Sequence, residues 1–391
     1  MGDSDRFSVV ADPSTGFRAA KVSFGRQQLL AVLTMAIAVM TTAGACDEIE
    51  RAAPASVSPA PYPPSSAIGG ITFDWSTHDR RAPGSDNWPI TWADDGHQYT
   101  SWGDGGGFGG SNSDGRVSLG VARVEGSAAS HTGFNVWGGK DAENPATFDG
   151  KSYGIISVDG TLYMWRSPGS GPTGYRRVTV YSSTNHGASW SAAAWDFLQS
   201  DGLINPTFLQ FGQDYAGARD SHVYMYANEL KDAADLKVQR PGEIALMRVP
   251  KNAIMDRTQY EFFAGMEGSG VPNWVTDLTR RQPVFEDSAG GVGWNTSASY
   301  NPGLGRYLIV TEHSVTSRGN IGIFDAPEPW GPWTTVLYET GFGAPTIESS
   351  TFFWNCANKW LSADGRDFVL VFTGVGSNDS WNSVGGRLEI P

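Results

Sequence analysis

The sequence is poor in cysteine, in basic residues and in charged residues of any kind. Its 391 residues include 2 Cys, and 28 Lys and Arg stand against 41 Asp and Glu, for a formal charge of −13. So few cysteines exclude a disulfide-rich scaffold, and the acidic balance argues against a nucleic acid as partner, since that partner requires a basic face. A neutral polysaccharide is compatible with such a surface.

From Asp86 onward the chain also lacks the periodicity of a helix of any length. The whole sequence contains 49 Gly and 15 Trp, which favour tight turns and strands respectively. The composition therefore predicts an all-β fold, and the chain is long enough to bury a large core.

One long apolar run is present, at residues 29–40. Basic residues precede it and small residues follow it as far as Cys46, which is the layout of an export signal, and the run is short for a membrane span. We therefore predict that residues 1–46 are an export signal. The protein is then expected outside the cytoplasm: secreted, periplasmic or lipid-anchored at the cell surface.

The segment Ala43-Gly44-Ala45-Cys46 resembles the lipobox of bacterial lipoproteins, although Ala43 stands where that motif usually has Leu. Lipidation of Cys46 and simple cleavage both stay open, and a lipid at Cys46 is the only membrane contact that the sequence suggests. Residues 47–70 are rich in Ala, Pro and Ser, which predicts a linker that buries too little apolar surface to fold. The folded domain is expected at residues 71–391.

A hairpin is predicted over residues 85–108, where two β-rich runs flank Asp94-Asp95-Gly96. Asp-Gly between alternating apolar residues is a strong hairpin signal. Asp86 precedes the first strand and Asp104 follows the second, so folding brings the two carboxylates together. Burial and like charge then raise one of the two pKa values. Either Asp alone is also compatible with the capping of a turn.

Strand–turn–strand units recur at similar intervals along the chain. Five units of roughly 60 residues leave room for four short strands each, which is typical of a β-propeller. The predicted fold is an all-β propeller with five blades and four antiparallel strands per blade, and a two-sheet sandwich is the alternative. In a propeller the ends of the second strands share one rim of the channel, and at four of these ends the residue is charged: Asp104, Arg166, Glu229 and Glu312.

Glycoside hydrolysis requires a carboxylic acid and a carboxylate at the scissile bond. The candidate catalytic residues are therefore the acids of this rim: Asp86, Asp104, Glu229 and Glu312. The candidate substrate-binding residues lie near the same strands: Trp88, Trp102, Arg166, Asn205, His222, Trp294, Asn295 and His313. The tryptophans would stack on sugars or pack between blades, and Arg166 would bind a sugar or pair with a carboxylate. No ligand spacing requires a metal, so no cofactor is expected, although a Ca²⁺ ion in the channel is compatible with the fold.

Three short motifs resemble segments of bacterial five-bladed propeller glycoside hydrolases: Ser85-Asp86-Asn87-Trp88-Pro89, Trp102-Gly103-Asp104-Gly105 and Trp330-Gly331-Pro332-Trp333. The resemblance is to the endo-D-arabinanase group and, more loosely, to arabinanase and xylosidase propellers. It implies an axial pocket with Asp86 as base and Asp104 or Glu229 as the second acid. The chain departs from that group at residues 105–107, where Gly replaces a frequent Thr, so the substrate can differ as well.

Three functions are compatible with these residues. The first is a secreted or lipid-anchored glycoside hydrolase that acts on a polysaccharide or oligosaccharide, with an arabinan as the substrate that the resemblance implies. The second is a polysaccharide lyase that uses His222, Tyr224, Arg166 and Asn205, although an acid-rich rim repels a uronate. The third is a non-catalytic propeller that binds glycan or protein.

Overall fold

The computed structural model describes residues 59–169, 176–230, 241–314, 316–348, 350–374 and 379–391. All of them belong to one compact unit, Pro54–Pro391. The predicted export signal, including Cys46, lies outside the described residues. No helix in the described ranges has the length and apolarity that crossing a bilayer requires.

Strand β1 (Gly70–Arg81) is followed by five groups of strands. The first group is β2 (Ile90–Trp92), β3 (Gln98–Gly103), β4 (Leu119–Ser127) and β5 (Ser130–Trp137). The second is β6 (Lys151–Val158), β7 (Thr161–Ser167), β8 (Arg177–Ser183), β9 (Ser191–Ala192) and β10 (Phe197–Leu198). The third is β11 (Leu203–Gln210), β12 (His222–Glu229), β13 (Glu243–Pro250), β14 (Glu261–Met266), β15 (Pro272–Val275) and β16 (Pro283–Glu286).

The fourth group is β17 (Thr296–Asn301), β18 (Arg306–Glu312), β19 (Ile321–Ala326) and β20 (Thr334–Glu339), and the fifth is β21 (Phe352–Cys356), β22 (Asp367–Thr373) and β23 (Trp381–Glu389). The helical segments in the described residues are single 3-10 turns: Gln199–Asp201, Gln213–Tyr215, Lys251–Ala253, Arg257–Gln259, Leu278–Arg280 and Asn358–Trp360. The chain is therefore all-β where it is described.

The main strands of each group pair antiparallel, and we call the groups blades 1 to 5 in chain order. Strand β1 completes blade 5 by pairing with β23, with Ile71 opposite Leu388. The inner strands follow one another around the axis: β2 contacts β6, β6 contacts β11, β11 pairs with β17, and β17 contacts β21. Blade 5 meets blade 1 where the Asn87 amide donates to Thr373 Oγ1 at 3.0 Å. The predicted β-propeller is confirmed.

Burial decreases from the axis outward. All 8 residues of β6 and all 8 of β11 are buried, whereas β1, at the outer edge of blade 5, has only partly buried and exposed residues. An inner strand packs on both faces and therefore carries a continuous buried run, while an edge strand faces solvent. The channel ends of the inner strands are thus rigid places for functional side chains.

The folded domain begins earlier than the sequence predicts. The Tyr62 hydroxyl accepts a hydrogen bond from the Glu286 amide at 2.8 Å, and the Tyr62 ring packs on Phe285 and Phe324 with centroids 5.2 and 5.9 Å away. Ile68 is 1% exposed. The predicted linker end at residue 70 is therefore wrong, because the apolar residues within its last part pack on the body.

Candidate active site

The hairpin of blade 1 brings Asp86 and Asp104 to the same end of the propeller. Strands β2 and β3 pair in the predicted hairpin. An isolated bridge extends the pairing, since the Asp86 amide donates to the Gly103 carbonyl at 2.8 Å and the Gly103 amide to the Asp86 carbonyl at 2.7 Å. Asp104 follows Gly103 with a left-handed φ of 52°. The two acids are thus one residue out of direct opposition, and a third side chain joins them.

That side chain is Lys151, the first residue of inner strand β6 in blade 2. Its Nζ is 2.9 Å from Asp104 Oδ1 and 3.8 Å from Asp86 Oδ1. The two carboxylate oxygens are therefore no more than about 7 Å apart. Glycosidases separate their carboxyl groups by about 5–5.5 Å when retaining and about 6.5–9.5 Å when inverting. The separation is compatible with acid–base chemistry at one bond.

Gly103 leaves the space that Lys151 and Asp86 occupy. A Cβ atom at this position would lie within 3.0 Å of Asp86 Oδ1 and of Lys151 Cδ and Nζ. Close approach of neighbouring groups to a backbone is a common reason for glycine at a site. In the Gly-Asp dipeptide at the end of the hairpin, Gly103 thus leaves room for the Lys151 side chain, and Asp104 supplies a carboxylate.

Two further charged residues border the pair. Arg116 Nη2 is 3.2 Å from Asp104 Oδ1. Burial raises the pKa of Asp86 to about 7, Lys151 opposes that shift, and the like charges of Asp379 and Asp104 add to it. Burial also raises the pKa of Asp379. At neutral pH the cluster thus contains a carboxyl group able to keep its proton beside a carboxylate in contact with two cations.

Sequence reasoning missed three members of this cluster, Lys151, Arg116 and Asp379. Lys151 begins an inner strand, as Asp86 precedes one, so the repeat pattern contained a usable signal for it. Asp379 is far from the hairpin in sequence and reaches it because blade 5 closes against blade 1. No local motif marks that residue.

Left-handed residues occur near the starts of inner strands in three blades. They are Asn87 with φ of 55°, Asn205 with φ of 51° and Phe353 with φ of 50°. The register of the inner strand shifts at the same place in blades 3 and 5. Such bulges redirect side chains and are frequent beside active sites. This end of the channel is therefore where the backbone departs from regular strand geometry.

Glu229 and Glu312 occupy the rim positions predicted for them, at the ends of β12 and β18, but neither joins the cluster in the described contacts. Glu229 Oε1 pairs with Arg281 Nε at 3.3 Å, and burial raises the pKa of Glu229 against the effect of Arg281. Glu312 is 1% exposed, and its Oε1 accepts a hydrogen bond from the Ser317 amide at 2.7 Å. Burial raises the pKa of Glu312 to about 8.

Trp88 and Trp102 are packing residues, and the substrate-binding prediction for both is wrong. Each is 0% exposed. The Trp88 ring centroid is 5.9 Å from that of Trp102 and 5.3 Å from that of Trp381. This aromatic cluster joins blade 1 to blade 5, so neither ring has a free face for a sugar.

Arg166 and His222 make no described contact with the cluster, and their described partners lie elsewhere in blades 2 and 3. Arg166 lies within blade 2, where its Nε donates to the Asp149 carbonyl at 2.7 Å and its Nη1 to the Tyr181 hydroxyl at 2.6 Å. His222 begins β12 and its Nδ1 is 3.3 Å from Asp220 Oδ1. Because Glu229 ends the same strand, the strand length separates His222 from the rim.

The remaining predicted residues lie around the starts of β11 and β17 and the end of β18. Asn205 Nδ2 donates to the Trp294 carbonyl at 2.7 Å. Asn205 and Asn295 are 1% and 4% exposed, and in the described residues the Oδ1 atom of each has no hydrogen-bond partner. His313 stacks on Tyr338 with centroids 3.8 Å apart, and burial lowers its pKa. His313 is a neutral packing residue, while the asparagines and Trp294 stay candidates.

Side chains with the chemistry of metal ligands lie at the opposite end of the blade 1 hairpin. Ligand atoms of Asp94, Asp95 and His186 are within 4.8 Å of one another, and His186 Nε2 is 2.8 Å from Asp94 Oδ1. At the Asp86 end, the carboxylates contact cationic side chains instead.

Residues 153–345 match the profile of a family described as "Domain of unknown function (DUF4185)". The match spans most of blades 2 to 4 and begins after Asp86, Asp104 and Lys151. No curated protein sequence matches this chain. The sequence comparisons therefore leave the function to the structure of the site.

Similar solved structures include a Bacteroides ovatus protein described as a hydrolase, with 11% identity, a TM-score of 0.50, and coverage of 80% of this chain and 90% of that one. An α-L-arabinofuranosidase from Podospora anserina has 10% identity, a TM-score of 0.47, and coverage of 84% and 99%. A GH43_1 enzyme from Xanthomonas citri has 15% identity, a TM-score of 0.43, and coverage of 83% and 90%. The Bacteroides ovatus protein shares the fold of this chain. Identities this low indicate nothing about the substrate of this chain.

Proposed function

We propose that the protein is a glycoside hydrolase that cleaves a polysaccharide, with Asp86 and Asp104 as its catalytic pair. The observation that carries the proposal is the approach of both carboxylates to Lys151 Nζ, at 3.8 and 2.9 Å. Hydrolysis of a glycosidic bond needs one protonated and one ionised carboxyl group at about this separation. The pair lies beside the first inner strand, at the end of the channel where the inner strands bulge.

Asp86 is the proton donor in this proposal. Its pKa of about 7 lets it hold a proton at neutral pH and transfer it to the glycosidic oxygen as the C–O bond breaks. Asp104, in contact with Lys151 and Arg116, supplies the carboxylate, which either takes a proton from the attacking water or bonds to the sugar carbon. The resemblance implies the opposite role for Asp86, and its buried position favours the donor.

The proposed substrate is a neutral polysaccharide, with an arabinan first among the candidates. A formal charge of −13 disfavours a polyanion, and the motifs at residues 85–89, 102–105 and 330–333 resemble those of endo-D-arabinanases. We propose in addition that the chain is exported, by cleavage of its signal or with a lipid at Cys46. Export places the enzyme where extracellular polymers are.

A polysaccharide lyase is less compatible with the site. Tyr224 and His222 both lie beside Asp220, with the Tyr224 hydroxyl donating to Asp220 Oδ2 at 2.7 Å. Asn205 lies alongside the opposite end of that strand, where the neighbouring Ile204 pairs with Asn228. A lyase base and its neutralising group must meet at one substrate carbon, and these residues do not.

The test is incubation of the full chain with a panel of polysaccharides that includes arabinans, with new reducing ends as the readout. Asp86→Asn and Asp104→Asn are expected to abolish turnover without loss of fold. Asp114→Asn is the matched control, because Asp114 is an exposed acid of the same blade that pairs with Lys140 at 3.3 Å. Binding of a glycan that the wild type never cleaves would contradict the proposal and favour a non-catalytic propeller.

A further inference from the structure

Lys151 is a buried ammonium to which the hydrolytic scheme above gives no task. It is 8% exposed, and its Nζ lies between Asp104 Oδ1 and Asp86 Oδ1. Removing an ammonium from water is costly unless opposite charges surround it. Its partners are therefore the two carboxylates, and its Nζ lies closer to Asp104 than to Asp86.

We propose that Lys151 is a positioning residue that assigns the two catalytic roles, by holding negative charge on Asp104 and leaving the proton on Asp86. The inference rests on the proposed function. Lys151 Nζ is nearer to Asp104, at 2.9 Å, than to Asp86, at 3.8 Å, and attraction between charges weakens with distance. Arg116, 3.2 Å from Asp104, acts in the same direction.

The groups that face Asp86 from other elements are consistent with this division. Asp104 and Asp379 bring negative charge towards it, while Lys151 and Arg116 bring positive charge. Both cations make their shortest described carboxylate contact with Asp104. If Asp86 were ionised as well as Asp104, Asp379 would oppose its charge, while Lys151 and Arg116 would compensate it less than they compensate the charge of Asp104.

Gly103 belongs to the same arrangement. Its φ lies outside the left-handed region, so alanine fits the backbone, but the added methyl would lie within 3.0 Å of Asp86 Oδ1 and of Lys151 Nζ. Gly103→Ala is thus a second way to disturb the contact between Lys151 and Asp86, and it leaves every charge in place.

The first experiment needs no substrate. The full chain is labelled with ¹³C at the aspartate carboxyl carbons, and the Asp86 and Asp104 resonances are identified by their loss in Asp86→Asn and Asp104→Asn. Lys151→Met is expected to move the titration midpoint of Asp104 upward by more than that of Asp86, because Lys151 Nζ lies 2.9 Å from Asp104 Oδ1 and 3.8 Å from Asp86 Oδ1 and an opposite charge lowers a carboxyl pKa more at shorter distance. The matched control is Lys140→Met, which removes the partly exposed lysine 3.3 Å from Asp114 and should leave both midpoints unchanged.

The second experiment measures activity against pH on whichever polysaccharide the panel identifies. Lys151→Met is expected to move the alkaline limb upward with the Asp86 midpoint and to lower kcat at least tenfold, with KM within about twofold. Lys151→Arg, which restores the charge, should recover part of kcat. A rise in KM with an unchanged pH profile would overturn the proposal, because Lys151 would then bind substrate rather than assign the roles.

The two experiments separate the inference from the proposed function. If no polysaccharide is cleaved, the hydrolase proposal fails, while the two midpoints still decide whether Lys151 divides charge and proton between the acids. If Lys151→Met does not fold, Gly103→Ala takes its place, because the added methyl displaces Lys151 Nζ, and the same unequal shifts are expected. A shift of Asp104 that is no larger than that of Asp86 in the folded variant overturns the inference.

Discussion

Asp86 and Glu312 both carry carboxyl groups with raised pKa values beside strands near the channel, yet Glu312 is buried while the Asp86 side chain is 14% exposed, and their charged surroundings differ. The pKa of Glu312 is raised by burial and lowered only by the hydrogen bond from Ser317. Burial also raises the pKa of Asp86, but nearby charges shift this pKa as well: those of Lys151, Asp379, Asp104 and Arg116. Burial alone therefore produces an acid that keeps its proton, and chemistry at one bond requires a second carboxylate within reach as well.

The largest difference is expected in turnover. Asp86→Asn should lower kcat by about 10³-fold or more, in the range typical of a lost general acid, whereas Glu312→Gln should stay within about threefold of the wild type. The measurement is the initial rate of reducing-end formation, with circular dichroism as the check on folding. Equal losses of kcat in the two variants would contradict the view that Asp86 is catalytic and Glu312 is not.

The next difference is in how the free energy of unfolding depends on pH. The folded pKa of Glu312, about 8, lies above the unfolded value of about 4.3, so its contribution to stability is present at low pH and is lost as pH rises towards 8. The slope is at most about 1.4 kcal/mol per pH unit. Glu312→Gln should therefore gain stability over the wild type at pH 8 and much less at pH 5, as measured by urea unfolding. The same difference at both pH values would contradict a buried, titrating Glu312.

A smaller effect is expected on the pH dependence of activity. If Asp86 donates the proton, activity should fall with a midpoint near its pKa of about 7. Asp379 raises that pKa, so Asp379→Asn should move the midpoint to lower pH, by less than about 1 unit for one charge in a partly hydrated site. Glu312→Gln, outside the cluster, should not move it. An upward shift in Asp379→Asn would show that Asp379 acts on Asp86 by another route.

The smallest effect is expected at Glu229. Its carboxylate pairs with Arg281 at 3.3 Å and lies outside the cluster, so Glu229→Gln should change kcat by less than about threefold. The same reducing-end assay measures it, with Arg281→Gln as the matched variant for the other half of the pair. A loss as large as that of Asp86→Asn would instead make Glu229 the acid, as the resemblance allowed.

Sequence reasoning succeeded where the information is local. The hairpin that carries Asp86 and Asp104 follows from an Asp-Asp-Gly turn and alternating apolar residues, and the repeat of such units predicts the propeller. The rim positions of Glu229 and Glu312 follow from the same repeat, because the end of a second strand can be counted from its turn.

It failed where the answer depends on contacts between blades. Trp381, near the end of blade 5, packs on Trp88 and helps to bury it, and Asp379 reaches the site by the same closure. Tyr62 was assigned to the linker because the composition of residues 47–70 does not show that its ring packs on Phe285 and Phe324. His222 was placed near Glu229 because both flank one strand, although a strand separates the residues at its two ends.

The closure of the ring also fixes when the site becomes complete. Strand β1 pairs with β23, and Asn87 bonds to Thr373, so blade 5 closes against blade 1 beside Asp86. A chain that stops before the last blade would contain Asp86, Asp104 and Lys151 but would leave Trp88 uncovered and Asp379 missing. Blade 5 therefore completes a cluster whose first acid lies in blade 1, so the arrangement around Asp86 depends on closure of the whole ring.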